Sequence, residues 1–97
     1  MRRRYLVTYD VSDDKRRTRI FHTLMGRGDH VQFSVFLCEV NEREKAMLSA
    51  ELRQHVHPRT DQVLILDLGP ADRPLEIGKG LECIGSAYVP STRVLVV

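Results

Sequence analysis

Ninety-seven residues fit one domain and one small core with little surplus stability. With 42% hydrophobic and 29% charged residues it has the composition of a folded, soluble protein. No apolar run approaches the roughly 18 residues of a membrane span, and Arg2-Arg3-Arg4 lacks a following signal-peptide core, so a cytoplasmic protein without a membrane partner is expected.

Residues 5–10, Tyr5-Leu6-Val7-Thr8-Tyr9-Asp10, predict a short strand ending on a carboxylate. Leu6 and Thr8 share a face with Asp10, and Tyr5, Val7, Tyr9 and Val11 share the other. Ser12 or Asp13 can cap a helix running to about residue 26, with Ile20, Phe21, Leu24 and Met25 as its buried stripe. Gly26-Arg27-Gly28-Asp29 breaks it. Lys15, Arg16, Arg17 and Arg19 lie off that stripe and face solvent or a ligand. Cations in the first turns oppose the helix dipole, so helix stability does not explain them.

A second strand is expected over about 30–40. Val31, Phe33, Val35 and Leu37 form its core face, and Gln32, Ser34, Phe36, Cys38 and Val40 form a face suited to a subunit contact. Asn41 and Glu44 have capping-box spacing at the start of a helix to about residue 56, which buries Leu48, Leu52 and Val56 before Pro58. A nearly all-apolar third strand over 62–68 is expected to be central. A glycine-rich loop to residue 80, a short strand over 81–85 and an apolar tail strand over 92–97 complete the chain. Cys38 and Cys83 read as reduced packing residues. The order is read as α+β, a ferredoxin-like βαββαβ sandwich with an extra C-terminal strand, all within one domain over 1–97. That strand, about 91–97, is expected to pair with the sheet edge of a partner subunit.

The charge of +2 is uneven: residues 1–30 carry eight Lys/Arg against four Asp, and residues 31–97 carry seven against nine Asp/Glu. A basic first third suits an anionic polymer, although a solvated charged face would have the same composition. Asp10 is the leading candidate for chemistry. A lone strand-end Asp is commonly a turn residue, but cations adjoin this one. Mg²⁺ takes one or two protein carboxylates, with waters and phosphate oxygens completing its shell. One Asp10 makes a poor site; two across a two-fold axis would polarise a phosphodiester and activate water, with Lys15, Arg16, Arg17 and Arg19 gripping the nucleic-acid backbone. Asp13 and Asp14 suit helix capping better than metal ligation. His22 reads as a helix packing residue. His55 and His57 lack the usual zinc spacing, and Gly78-Lys79-Gly80 reads as a turn.

On these residues the chain resembles the small CRISPR-associated Cas-two family of spacer-acquisition proteins. The resemblance rests on 5–10 with Val11-Ser12-Asp13-Asp14-Lys15-Arg16-Arg17, and on Val31-Gln32-Phe33-Ser34-Val35-Phe36. It implies a ferredoxin-like homodimer in which Asp10 of each protomer is the catalytic, metal-binding residue. It also implies a Mg²⁺-dependent endonuclease, with Mn²⁺ as the substitute ion, acting on single-stranded RNA or double-stranded DNA. A further implication is a complex with the Cas-one integrase, the dimer bridging two integrase dimers. Tyr9, Arg16, Arg17, Arg19, Ser34 and Phe36 fall on family motif positions. His30 stands where the family usually has Arg, and Leu37 where it has an acid; both departures bear on cleavage more than on fold. Two other readings compete: a non-cutting DNA-binding adaptor that spaces two integrases, and a toxin-like ribonuclease on the same fold.

Overall fold

The computed structural model describes residues 1–77 and 80–86. Strands β1 (Arg3–Asp10), β2 (Asp29–Gln32), β3 (Val35–Val40) and β4 (Gln62–Pro70) form an antiparallel sheet in the order β2-β3-β1-β4. Helices α1 (Asp14–Met25) and α2 (Glu42–His55) are the two crossovers. This is the ferredoxin-like α+β arrangement. A separate two-residue parallel pair joins β5 (Glu76–Ile77) to β6 (Gly80–Leu81). The tail strand expected over 91–97, and Gly78-Lys79 of the expected turn, lie outside the described residues.

Both helices begin at side-chain caps that the sequence announces. The Asp13 carboxylate accepts the Arg16 backbone N–H at 2.9 Å. Asn41 and Glu44 close a reciprocal capping box, at 2.8 and 3.0 Å. Each cap satisfies amide donors that the first helical turn leaves without partners. The core lies between the helices and one sheet face. It joins Tyr5, Val7, Tyr9 and Val11 with Phe36, Cys38 and Val40, and with Ile20, Leu24, Leu48 and Leu52. Gly28 carries the chain from α1 into β2 so closely over β3 that a Cβ there would stand 2.5 Å from the Leu37 carbonyl oxygen. Met25, expected in the α1 stripe, is exposed.

Three expectations are corrected. Residues 30–40 form a hairpin, not one strand: Ser34 adopts φ 62° and the chain reverses around Phe33-Ser34. The left-handed residue at the tip breaks the alternation, which inverts the expected faces. Phe36, Cys38 and Val40 enter the core instead of a subunit contact, and Phe33 is 82% exposed. The third expected strand, β4, is an edge strand instead of a central one, because β1 takes the middle and hydrogen-bonds on both sides. Its apolar look comes from two different faces. Val63 and Ile65 pack on the core, whereas Leu64 and Leu66 lie on the open side. The strand expected over 81–85 reduces to Leu81, between Gly80 and Gly85, whose φ values of 93° and 101° depart from extended geometry.

One ion pair ties α1 to the loop between α2 and β4. The Arg16 guanidinium meets the Asp61 carboxylate in a fork, Nε to Oδ2 at 2.7 Å and Nη2 to Oδ1 at 3.2 Å. Asp61 also accepts the His57 backbone N–H at 2.8 Å and the Thr60 hydroxyl at 3.1 Å. With all its oxygens engaged, Arg16 foremost, the carboxyl is held down to about 2 from 3.8.

Two predictions follow the core and the latch. Phe36→Ala should lower stability by about 3–5 kcal/mol, whereas Phe33→Ala should stay within about 0.5 kcal/mol. Urea unfolding reads both, and the reverse ranking would reinstate the expected faces. Because the folded Asp61 value lies below the unfolded one, its contribution is present above pH 3.8 and is lost as pH falls through about 2. Asp61→Asn should therefore lower stability at neutral pH and flatten the wild-type decline between those values. Parallel acid-unfolding profiles for the two proteins would contradict the latch.

Candidate active site

Asp10 ends β1 opposite Gln62 of β4 and is exposed. Among the described residues its carboxylate has no hydrogen bond or ion pair. Strand alternation puts it on the open sheet face, away from the helices. That face is built in rows. Arg4 stands opposite Glu39; Leu6 sits between Leu37 and Leu66; Thr8 sits between Val35 and Leu64; Asp10 closes the series. Leu64 and Leu66 are 49% and 45% exposed. The Arg4 end is closed, since Arg4 Nη2 donates to the Arg73 carbonyl at 2.6 Å and lies 3.4 Å from Glu39. The Asp10 end is open.

A free carboxylate is a hard oxygen donor of the type Mg²⁺ takes, and among the described residues Asp10 makes no intramolecular bond, so it fits such an ion. Its neighbours are committed elsewhere. Asp13 caps α1, which with Arg16 beside it holds that carboxyl below its usual range. Asp14 pairs with Arg17. Among the described residues no three His, Cys, Asp or Glu side chains come together as a metal cluster. One chain therefore supplies one carboxylate.

The four predicted cations divide into two pairs. Arg16 is turned to Asp61 and Asp13. Arg17 donates to the Val11 and Ser12 carbonyls at 3.0 and 3.2 Å, which fixes the turn directly after Asp10. Lys15 and Arg19 are exposed and make no ion pair among the described residues. Among the described residues, the positive charge of α1 that is not held in an ion pair thus resides on those two.

Tyr9, Ser34 and Phe36 come together on the other side of the β1 end. The Tyr9 N–H donates to the Ser34 carbonyl at 3.1 Å, and the Tyr9 ring stacks on Phe36 at 6.4 Å. Burial raises the Tyr9 phenol above its usual value, opposed by the Ser34 hydroxyl and by Arg17. His30 stacks on Phe36 at 4.7 Å and meets Phe21 edge-on at 5.3 Å. Its Nε2 is buried without a hydrogen-bond partner. Where the family pattern has a cation, this chain has a ring packed among rings.

Sequence reasoning missed Asp61 and misplaced Phe33. No spacing signal links Asp61 to Arg16 across 45 residues. Ser34, a common turn former, was the available sign of a hairpin tip. His22 is exposed against the Phe21 edge. His57 accepts the Arg59 N–H through Nδ1, as a local turn residue. Neither cysteine forms a disulfide; Cys38 lies in the core and Cys83 is half-buried. Among the described residues no helix is long and apolar enough to cross a membrane.

Comparison with known proteins matches this geometry to one family. A family model described as "CRISPR associated protein Cas2" matches residues 1–73. A Rhodospirillum rubrum protein named CRISPR-associated endoribonuclease Cas2 1 is 37% identical over 84 residues, 87% of this chain and 79% of that one. A Geobacter sulfurreducens protein named CRISPR-associated endoribonuclease Cas2 is 34% identical over 93 residues, 96% of this chain and 95% of that one. Among solved structures, Streptococcus pyogenes Cas2 superposes with a TM-score of 0.71 at 29% identity, over 84% of this chain and 99% of the other. A Thermus thermophilus protein gives 0.73 at 30%, over 94% and 100%. The family match covers residues 1–73 and the solved structures superpose over most of the chain: the chain belongs to the CRISPR-associated Cas2 family.

Proposed function

We propose that this protein is a metal-dependent endonuclease of CRISPR spacer acquisition. In this reading it acts in the cytoplasm as a homodimer, in complex with the Cas-one integrase, and cuts single-stranded RNA or double-stranded DNA. The observation that carries the reading is the exposed Asp10, without a partner among the described residues, at the open end of an apolar sheet face. Rows of Leu6, Leu37, Leu66, Val35 and Leu64 left in water are what a second copy would cover, sheet against sheet. A two-fold axis through that face would bring both Asp10 ends to one rim. The two carboxylates would hold Mg²⁺, or Mn²⁺ in its place, which when bound polarises a phosphodiester and lowers the pKa of water.

Within this arrangement Lys15 and Arg19 draw in the phosphate backbone, Arg16 holds α1 in place through Asp61, and Arg17 fixes the loop that follows Asp10. Leu37, where the family pattern has an acid, extends the Leu6–Leu66 row across three strands and removes a charge that sheet stacking would bury. The outer edge of β4 is unpaired among the described residues, which leaves it available to a strand over about 91–97 of the partner.

Labelled single-stranded RNA and duplex DNA, titrated with Mg²⁺, test the chemistry. The wild type should cut one of them, and Asp10→Ala should lose at least about a hundredfold in rate, in line with removal of a group acting directly on the reaction. Equal cutting by both would return Asp10 to a structural residue, and no cutting by either would favour the non-cutting adaptor. Leu66→Glu should convert a dimer of about twice 11.2 kDa into a monomer in light scattering. An unchanged dimer would move the interface away from the open face.

A further inference from the structure

On the helix side of the β1 end lies a pocket of about 260 Å³ that no reading of Asp10 uses. The Tyr9 and Phe21 rings and His30 line it, Arg17 and Ser34 contribute polar groups, and Phe33 of the hairpin tip stands at its rim. Phe33 is 82% exposed, so its ring face is open to a ligand entering the cavity. The Ser34 backbone, at φ 62°, holds the tip in a left-handed turn that a non-glycine residue seldom adopts. A rigid turn that presents an aromatic ring to solvent beside a polar-edged cavity is an arrangement for stacking.

We infer that this pocket receives one unstacked nucleobase of a single-stranded nucleic acid, with Phe33 as its stacking platform. The inference rests on the reading of the β1 end as a nucleic-acid site and names the part of the substrate that end selects. Charge complementarity supports the occupant. Arg17 lines the cavity, its guanidinium shared with the Asp14 carboxylate, and Lys15 and Arg19, exposed and without an ion pair among the described residues, add to the positive potential of the same helix. The interior is aromatic, and every base has a π-face that such rings accept irrespective of sequence. The Ser34 hydroxyl can meet a base edge. Tyr9 precedes Asp10 directly and points to the opposite face, so a strand crossing this end of the sheet would seat its base on one side and expose its backbone on the other. A base paired in a duplex could not enter without leaving its stack.

The chain contains no tryptophan, so Phe33→Trp introduces a unique fluorophore at the rim. The variant is titrated with a short oligoadenylate or oligodeoxyadenylate in the presence of a chelator, so that no strand is cut. Saturable quenching by the single strands is expected, with none from the same sequence in a duplex or from an abasic strand. Quenching by the ribo strand alone, or by both, tells whether the pocket discriminates the sugar. Phe33→Ala should weaken anisotropy-measured affinity roughly fivefold or more, the scale of one base–aromatic stack. Its salt dependence should stay unchanged, because no phosphate contact is lost. Absent quenching together with unaltered Phe33→Ala affinity would overturn the pocket, as would equal quenching by the abasic strand. Since these readouts need neither metal nor cleavage, quenching alongside Asp10-independent cutting would sink the Asp10 metal site and leave the pocket standing. Asp10-dependent cutting without quenching would do the opposite.

Discussion

The position of β1 in the middle of the sheet constrains almost everything else. A central strand must satisfy hydrogen bonds on both edges, and its side chains alternate without exception between two faces. With Tyr5, Val7 and Tyr9 committed to the helices, Leu6, Thr8 and Asp10 are committed to the open side. A slip of one residue would drive Asp10 into the core and expose Tyr9, at the cost of a buried unpaired carboxylate. The core therefore fixes the register, and the register aims the candidate catalytic group. Functional geometry and fold stability are the same fact at this strand.

The charge of the first helix shows a related economy. Four cations within five residues look from the sequence like one anion-binding patch, yet the structure divides their work. Arg16 and Arg17 hold the loops that flank Asp10, one through Asp61 and the other through the Val11 and Ser12 carbonyls. Lys15 and Arg19 make no ion pair among the described residues. Arginine suits the first pair because its planar fork can satisfy two acceptors at once. Their charge still contributes to the potential at this end of the sheet, although it is screened by the carboxylates they hold. Removal of either arginine would disturb position first and field second, so loss of binding on its mutation is not by itself proof of a phosphate contact.

Much of this was legible in the sequence. Both helices, both caps and the two faces of β1 follow from spacing and from Asp13, Asn41 and Glu44. The ferredoxin-like order and the family likeness rest on the same segments. What failed was the stretch from 30 to 40, and the reason is local. Strict alternation from Val31 to Leu37 suggests one strand, but a left-handed residue at Ser34 reverses the chain and shifts the phase. The apolar run in 62–68 misled differently. A strand with apolar residues on both faces reads as central, whereas β4 is an edge strand with Leu64 and Leu66 about half exposed on the open face. Periodicity reports that a face is apolar and not what covers it. The Arg16–Asp61 pair lay beyond reach because nothing local encodes a contact across 45 residues.

The hairpin that defeated the pattern is also where this chain departs from its family in side-chain chemistry. His30 sits where a cation is usual, and it stacks on Phe36 and abuts Phe21 instead of reaching toward solvent. Losing a cation lowers the attraction for phosphate at this edge, while an added ring enlarges the aromatic floor beside Phe33. An exchange of charge for stacking trades a long-range, salt-sensitive attraction for a short-range one that requires the base to leave its neighbours. Such a site favours single strands over duplexes even where both are drawn to the same basic helix. Asp10 lies one residue from the Tyr9 wall of that pocket, so the preference would be felt at the carboxylate itself.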